Sequence, residues 1–452
     1  MTLRPMSVGT PRMRRLILLG AVLLVAETGS ARQIETPGEK GRYNVGFTTF
    51  CATMSAGRVT RVQVFYPTLD HPNYGAAYPV FPPVNQSDPV GSCLPAGGGL
   101  YRLSSPLQAV RGAHPVPRQA FPLIVHDHGG TAAGADFQRL SQFPVHETLA
   151  THGFVVVVAL HSASAVNRVL DVPFVIDAML ARNATAGDPF AGMIDPNRIG
   201  ISGESTGGAT ALRVAGGWSD NGIAPDPRIR AMVVYEPTPF SLVDVSGISL
   251  PYLVMGGTQS AASQPIPTLF DATVLATPRI YVTNPHAVHI SYQTGICPRI
   301  DETRETAWVA NPTQPEPLTD LVVLPSGLRA CNPSLGAAAA AACLAWNMGE
   351  ITQPTSPGFG GGRNFCDRVG VSSVASLDTS PADGFTDSPP FAATDAFTLQ
   401  VPIPGDVMVS TIKHYTVAFW KKFLEGDGQF MRYLTPGYAH VHRLPAIVDI
   451  RD

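Results

Sequence analysis

One serine of this chain lies where the sequence favours nucleophilic chemistry. Ser205 is the centre of Gly203-Glu204-Ser205-Thr206-Gly207, which follows an apolar run and precedes residues that favour a helix. A Gly-x-Ser-x-Gly turn between a strand and a helix strains the serine backbone, and its glycines avoid the clash that a Cβ would make. The helix from Thr206 would aim its N–H groups at an oxygen that gains negative charge. The pattern therefore predicts acyl transfer with Ser205 as nucleophile.

A serine nucleophile needs a base, and two histidines follow a predicted strand. The useful side chains of a parallel sheet lie just beyond the carboxyl ends of its strands. The strand at 279–283 is followed by His286 and His289. The pattern makes both of them candidate bases, and a solvated loop histidine is the competing interpretation for each.

The acid that orients the base is expected at another strand end. Glu236 directly follows the apolar strand at 231–235. The other usual position is the loop 256–260, which contains no carboxylate. Glu236 is therefore the predicted acid, with Asp244 and Asp271 as alternatives. An exposed glutamate at a strand end is the competing interpretation.

The oxyanion of acyl transfer needs hydrogen-bond donors from the backbone. The N–H of Thr206 is the first predicted donor. The turn His128-Gly129-Gly130 follows the apolar strand at 122–126, and the N–H of Gly130 is the second predicted donor. The sequence thus predicts an oxyanion hole built from two separate segments.

The same turn has an alternative interpretation as a metal site. His126 and His128 occupy alternate positions and would point to one face of a strand, as metal ligands can. The sequence places no further ligand cluster with them. We therefore expect catalysis without a metal or an organic cofactor.

Strands and helices alternate through the middle of the chain. This rhythm predicts an α/β class with a mostly parallel, doubly wound sheet. The predicted strands are apolar runs at 122–126, 154–160, 199–202, 231–235, 250–255 and 279–283. Helical patterns occupy 136–152, 170–181 and 409–425, and the last has one face formed by Ile412, Thr416, Phe419, Trp420 and Phe423.

The segments before the first buried strand have a different pattern. Apolar residues alternate from 42 to 67, which predicts antiparallel edge strands with one solvated face. Residues 71–112 mix proline, glycine and serine without periodicity, which predicts a long loop. Residues 195–198 read as a turn before the strand that leads to Ser205.

The alternation stops between about 293 and 405, which we interpret as an insertion between a core at 32–292 and a closing segment at 406–452. Because the insertion follows the histidine loop, we expect it to cover the site as a lid. It contains Cys297, Cys331, Cys343 and Cys366. An even number of cysteines in an exported chain predicts disulfides, the simplest set joining Cys51 to Cys93 and pairing these four.

Composition restricts partners and location. The net charge is −3, without a basic cluster beyond the extreme N-terminus, which argues against nucleic acid as a partner. Arginines at positions 4–15 precede an apolar run at 16–26 and then Gly29-Ser30-Ala31. This order predicts a signal peptide at 1–31, cleaved after Ala31, and a secreted or periplasmic protein without a stable membrane span. A membrane anchor is the alternative interpretation.

These segments together resemble the α/β-hydrolases, and within them the platelet-activating-factor acetylhydrolase-like and cutinase-like polyester hydrolase branches. The matching pieces are Tyr43-Asn44-Val45-Gly46, Phe65-Tyr66-Pro67, His128-Gly129-Gly130, 150–156, 203–208, Ala287-Val288-His289 and 415–427. The acetylhydrolase-like branch takes its histidine from a Val-His pair and its acid from just after the strand that follows the nucleophile helix. The resemblance therefore implies His289 as the base and supports Glu236 as the acid.

Three features depart from that pattern. Glu204 replaces the usual histidine before the serine, Glu236 stands where these families carry aspartate, and the insertion has no counterpart. The resemblance implies a serine esterase that acts on a short-acyl lipid or another small ester. A polyester or an amide substrate, and a catalytically silent binding member of the same fold, are the alternatives.

Overall fold

The computed structural model describes the residues that build the predicted core. They are 35–54, 59–72, 109–129, 142–159, 164–237, 245–258, 266–285, 287, 292 and 407–451, together with the backbone of 77–80, 101–104, 309–310 and 405–406. Residues 1–31, and the insertion apart from 309–310 and 405, lie outside this part. The signal peptide, the lid and the boundaries at 32, 292 and 405 therefore stay predictions.

The elements alternate along the chain much as the apolar runs predict. The strands are β1 (Asn44–Thr53), β2 (Val59–Thr68), β3 (Ala77–Val80), β4 (Tyr101–Ser104), β5 (Val110–Arg111), β6 (Phe121–Asp127), β7 (Val155–Ala159), β8 (Ile194–Glu204), β9 (Ile229–Tyr235), β10 (Tyr252–Gly257), β11 (Arg279–Asn284), β12 (Val309–Ala310) and β13 (Ile447–Arg451). The α-helices are α1 (Phe143–Thr151), α2 (Ala165–Ala184), α3 (Thr206–Gly216), α4 (Ile266–Ala272), α5 (Gly405–Phe423) and α6 (Pro436–Val441).

One sheet contains most of these strands, in the order β13-β11-β10-β9-β8-β6-β7-β2-β1-β5. The pairs from β11 through β10, β9, β8 and β6 to β7 are parallel. β2 is antiparallel to both β7 and β1. The predicted α/β class, the mostly parallel sheet and the antiparallel N-terminal strands are therefore confirmed.

Helices cover both faces of this sheet because its central strands are apolar on both sides. α1 and α5 pack against one face, where Phe143 and Trp420 belong to a buried cluster. α2, α3 and α4 pack against the other, with Val172, Leu212 and Phe270 in a second cluster. A parallel sheet with helices on both faces brings the carboxyl ends of its strands together at one edge, where ligands of such sheets bind.

The last long helix fixes the strand that leads to Ser205. Trp420 of α5 is fully buried, and a Cβ added at Gly200 of β8 would lie 2.5 Å from its ring. The glycine in this strand therefore admits the indole ring. The predicted buried face of α5 is confirmed for Ile412, Thr416, Phe419 and Trp420.

The expectation of N-terminal edge strands with a solvated face is wrong for β2. β2 lies between β1 and β7, and its polar Arg61 and Gln63 are fully buried. α1 packs on β2, so this strand is covered on the side that its polar residues share. Alternation of polar and apolar residues signals two faces, but it does not show that the polar face meets water.

Strand pairing corrects one further local prediction and adds a strand that was not predicted. The segment 71–112, expected as a loop, contains β3, β4 and β5, and β12 of the predicted insertion pairs with β4. Residues 195–198, expected as a turn before this strand, fall within the bounds of β8, but its pairing with β6 passes from Ile194 directly to Ile199. The Asp195 carboxylate accepts a hydrogen bond from the Asn197 N–H (2.9 Å), which is the contact of an Asx turn. β13, which was not predicted, pairs antiparallel with β11 at the sheet edge.

Two further observations concern membrane spans and cysteines. In the part of the chain that the structure describes, no helix is long and apolar enough to cross a membrane. Cys51 of β1 is disulfide-bonded. The other five cysteines lie outside the described residues, so the pairing of Cys51 with Cys93 stays a prediction.

Candidate active site

Ser205 occupies the turn between β8 and α3, as its flanking glycines predict. Its φ is 54° and its ψ is −123°, a conformation that costs a residue with a Cβ about 1–3 kcal/mol. The Ser205 N–H donates to the Tyr235 carbonyl of β9 (2.9 Å), which holds the turn against the neighbouring strand. The Ser205 side chain does not cap α3. The strained backbone conformation thus places Ser205 at the carboxyl edge of the sheet.

The glycines around Ser205 are required by close backbone contacts. A Cβ at Gly203 would lie 2.1 Å from the Gly207 carbonyl oxygen, and one at Gly207 would lie 2.0 Å from the Asp127 carbonyl oxygen. A Cβ at Gly208 would lie 2.6 Å from the Cβ of Pro237. The first turn of α3 is therefore pressed directly against the ends of β6 and β9.

The predicted second oxyanion segment lies beside the serine. A Cβ at Gly129 would lie 3.0 Å from the Ser205 Cβ and 2.0 Å from Oε2 of the buried Glu204. Thr206, the first predicted donor, is the first residue of α3. Gly130, the second, lies outside the described residues, but its neighbour Gly129 is in contact with the nucleophile turn.

Glu236 lies next to the nucleophile turn, at the end of β9. It follows Tyr235, whose carbonyl accepts the Ser205 N–H, and its own N–H donates to the Met255 carbonyl (2.9 Å). Its φ is 43° and it is fully buried, which excludes the interpretation as an exposed strand-end glutamate. The Glu236 carboxylate accepts a hydrogen bond from the Gly257 N–H.

The segment that carries the histidines begins beside this carboxylate. A Cβ at Gly257 would lie 2.1 Å from the Ala287 carbonyl oxygen, so Gly257 contacts Ala287 on one side and binds Glu236 through its N–H. Ala287 lies between His286 and Val288 in the chain. His286 and His289 themselves lie outside the described residues. The structure thus places Ala287, at the start of the histidine loop, against Gly257, whose N–H binds the predicted acid.

A buried tyrosine and asparagine hold the two ends of this histidine loop together. The Tyr292 hydroxyl donates to Asn284 Oδ1 (2.6 Å), and the Asn284 amide donates to the Pro445 carbonyl (3.0 Å). Burial and then the charge of Glu236 raise the pKa of Tyr292 well above its usual value, which keeps the hydroxyl protonated as a donor. Sequence reasoning missed both residues, because only their contact across the loop gives them a role.

The alternative acid Asp271 lies elsewhere. Its carboxylate pairs with Arg451, and Arg451 lies opposite Arg279, the first residue of β11. Asp271 is therefore near the amino-terminal edge of the parallel strands, whereas Glu236 lies at the carboxyl edge. Asp244, the other alternative, lies outside the described residues.

The two histidines of the metal-site interpretation make separate hydrogen bonds. His126 Nδ1 is 2.9 Å from Ser202 Oγ, and His128 Nδ1 is 2.7 Å from the Gly129 carbonyl oxygen. Among the described residues, no group of three or more histidine, cysteine and acidic side chains is arranged to hold a metal ion. Within this part of the chain, the geometry gives the metal interpretation no support.

Sequence reasoning also missed Arg168, which belongs to α2 but lies two residues before the predicted helical pattern 170–181. Arg168 is four residues before Val172 and seven before Val175, so it shares their stripe on the helix. It is nearly fully buried and forms an ion pair with Asp127 at the end of β6 (2.7 Å). A charged residue on an apolar stripe was the signal that could have identified it.

We searched family models and curated proteins with this sequence, and no family model and no curated protein matched.

We expect Gly257→Ala to lower kcat about tenfold to a hundredfold, because the new Cβ would displace Ala287 and with it the loop that bears the predicted base. Gly437→Ala is the control, since a Cβ added at Gly437 meets nothing within 4 Å. Kinetics on a p-nitrophenyl ester measure both variants. Unchanged kcat in Gly257→Ala, with the protein folded, would show that the base does not depend on this contact.

We expect stability to decrease as the pH falls below about 6.5, because His146 of α1 is buried beside the His126 ring. Burial and then the charge of His126 hold the pKa of His146 well below its usual 6.5. Below pH 6.5 the unfolded chain therefore binds a proton at this histidine and the folded chain does not. The free energy of unfolding falls by up to about 1.4 kcal/mol per pH unit until the pKa of the folded state is reached.

Urea unfolding between pH 7 and pH 5 measures this loss, with His146→Phe as the comparison. The free energy of unfolding should depend less steeply on pH in the variant. Some dependence should remain in both proteins, because burial also lowers the pKa of His414. The contribution of Glu35 to the free energy of unfolding is lost at lower pH. Burial raises the pKa of Glu35, but His152 and Lys421 together lower it to about 2. The same pH dependence of the free energy of unfolding in the two proteins would contradict the prediction.

Proposed function

We propose that this chain is an exported serine esterase of the α/β-hydrolase fold that cleaves carboxylic esters through an acyl-enzyme on Ser205. The observation that carries the proposal is the Ser205 backbone, which has a φ of 54° at a strand-to-helix turn. Strained residues of this kind persist where the surrounding structure enforces them, and they cluster at active sites. The contact with Gly129 and the burial of Glu236 on the adjacent strand support the same proposal.

In the proposed reaction, Ser205 Oγ attacks the ester carbonyl and its proton moves to His289. A carbon–oxygen bond forms, and the carbonyl π pair moves onto the oxygen, which the N–H groups of Gly130 and Thr206 receive. The oxyanion then collapses, and the bond to the alcohol breaks as His289 protonates the leaving oxygen. Water then attacks the acyl carbonyl as His289 takes its proton. The bond to Ser205 Oγ breaks as His289 gives that proton to the serine oxygen, which releases the acid and restores the enzyme. Glu236 orients His289 and stabilises its charged form.

The proposed substrate is a short-acyl lipid or another small ester. The sheet with helices on both faces and antiparallel N-terminal strands supports the hydrolase fold that the resemblance implies. The sequence pattern at 1–31 supports export with cleavage after Ala31. No metal or organic cofactor takes part in the proposed reaction.

A series of p-nitrophenyl esters of increasing acyl length tests the proposal, with and without a serine-directed fluorophosphonate. We expect turnover that is highest for short chains and is abolished by the reagent, with the label on Ser205. Hydrolysis of a polyester film with little activity on the soluble esters would favour the cutinase-like alternative. Absence of both turnover and labelling would contradict the esterase proposal and favour a silent binding protein.

A further inference from the structure

Arg168 connects the two backbone segments that carry the predicted oxyanion donors. From the first turn of α2, its guanidinium donates to the Asp127 carboxylate at the end of β6 (2.7 and 3.4 Å). It also donates to the His128 carbonyl in the loop that follows β6. A further N–H donates to the Thr206 hydroxyl at the start of α3 (3.3 Å). One planar side chain thus reaches both segments.

The surroundings of Arg168 make these contacts rigid. Its side chain is 4% exposed and that of Asp127 is 0% exposed, so water does not screen the ion pair. The guanidinium is a flat fork with fixed donor directions, so bonding to three groups at once fixes their relative positions. Gly207 of α3 is already in contact with the Asp127 and His128 carbonyl oxygens. Arg168 therefore holds the loop after β6 against the first turn of α3.

The distance between those two segments matters for the proposed chemistry. The N–H of Thr206 belongs to one segment, and Gly130 follows His128 by two residues in the other. An oxyanion hole acts through donors that are in place before the charge develops. A change in their spacing weakens transition-state binding more than substrate binding.

We propose that Arg168 is a positioning residue for the oxyanion hole, holding the loop after β6 against the first turn of α3 by binding Asp127, His128 and Thr206 together. This inference rests on the proposed esterase function and goes beyond it, because it gives a role to a residue outside the proposed triad and the proposed oxyanion donors.

Arg168→Met tests the inference, with Arg182→Met as the matched control. Arg182 lies on the same helix and also pairs with an aspartate, Asp188, but at a partly exposed site (3.3 Å). We expect Arg168→Met to lower kcat on p-nitrophenyl acetate about 10- to 100-fold with little change in KM. The control should keep the wild-type values.

A trifluoromethyl ketone separates this role from a purely structural one. Ser205 Oγ adds to the ketone carbon, the π pair moves onto oxygen and the serine proton moves to His289, so the adduct needs the oxyanion hole. In Arg168→Met the Ki of the ketone should rise by the same factor by which kcat/KM falls. The pH midpoint of kcat/KM should stay unchanged, because the base and acid are not altered. A loss of activity without a rise in Ki would overturn the inference.

Two milder variants cover the case in which Arg168→Met fails to fold. Arg168→Lys keeps the charge that balances Asp127 but loses the fork, and Thr206→Val removes one contact while leaving the ion pair and the backbone N–H intact. Each should show the same joint change of kcat/KM and Ki, at about 3- to 10-fold. Wild-type values in both folded variants would overturn the inference while leaving the esterase proposal standing. A wild-type protein without turnover or Ser205 labelling would instead contradict the esterase proposal, and this inference with it.

Discussion

Ser205→Ala is expected to abolish ester hydrolysis, with a loss of at least about 10⁴-fold in kcat, and to leave the fold intact. Ser205 is the proposed nucleophile, and loss of one member of a catalytic triad removes most of the rate enhancement that a triad provides. Rates on p-nitrophenyl acetate and labelling by a fluorophosphonate measure the loss. Ser219→Ala is the control, because Ser219 lies exposed beyond α3.

A second substitution at the same position tests whether the strain serves the chemistry. Ser205→Gly should also be inactive, but it should raise the free energy of unfolding by about 1 kcal/mol, since glycine adopts a φ of 54° without the Cβ penalty. Urea unfolding measures this change against Ser205→Ala, in which the penalty remains. Appreciable turnover in either variant would remove Ser205 from the mechanism.

Glu236→Gln is expected to lower kcat by roughly 10³- to 10⁴-fold. The glutamine keeps the size of the side chain and an oxygen that can accept the Gly257 N–H, but it loses the charge that fixes the imidazole tautomer and stabilises the imidazolium. Because the charged imidazole loses its partner, the acidic limb of kcat/KM should move to lower pH. Rates across pH 5 to 9 measure both effects.

Asp271→Asn is the matched control for this charge change. Its carboxylate lies in an exposed ion pair with Arg451 at the far edge of the sheet, so kcat should fall less than tenfold. Asp244→Asn should also cost less than tenfold. If Glu236→Gln keeps a near-normal kcat and one of the aspartate variants loses most of its kcat, the acid is that aspartate.

The sequence alone determined the features that depend on neighbouring residues. Gly203, Gly207 and Gly208 predicted a turn that no side chain could enter, and the backbone of Ser205 has the strain that such a turn requires. The apolar runs predicted a parallel sheet, and a parallel sheet places Glu236 and Ser205 at the same edge. Local steric limits and apolar periodicity depend only on consecutive residues, so the sequence is enough to predict them.

Tertiary structure decided the features that depend on contacts between distant segments. Arg61 and Gln63 resemble a solvated face until α1 and β7 cover β2, and Asp271 resembles a reserve acid until its pairing with Arg451 places it at the wrong edge. The proposed role of Arg168 depends on the contact between the end of β6 and the start of α3. Such contacts join residues up to 180 positions apart, and their geometry depends on how whole elements pack, which no short window of sequence encodes.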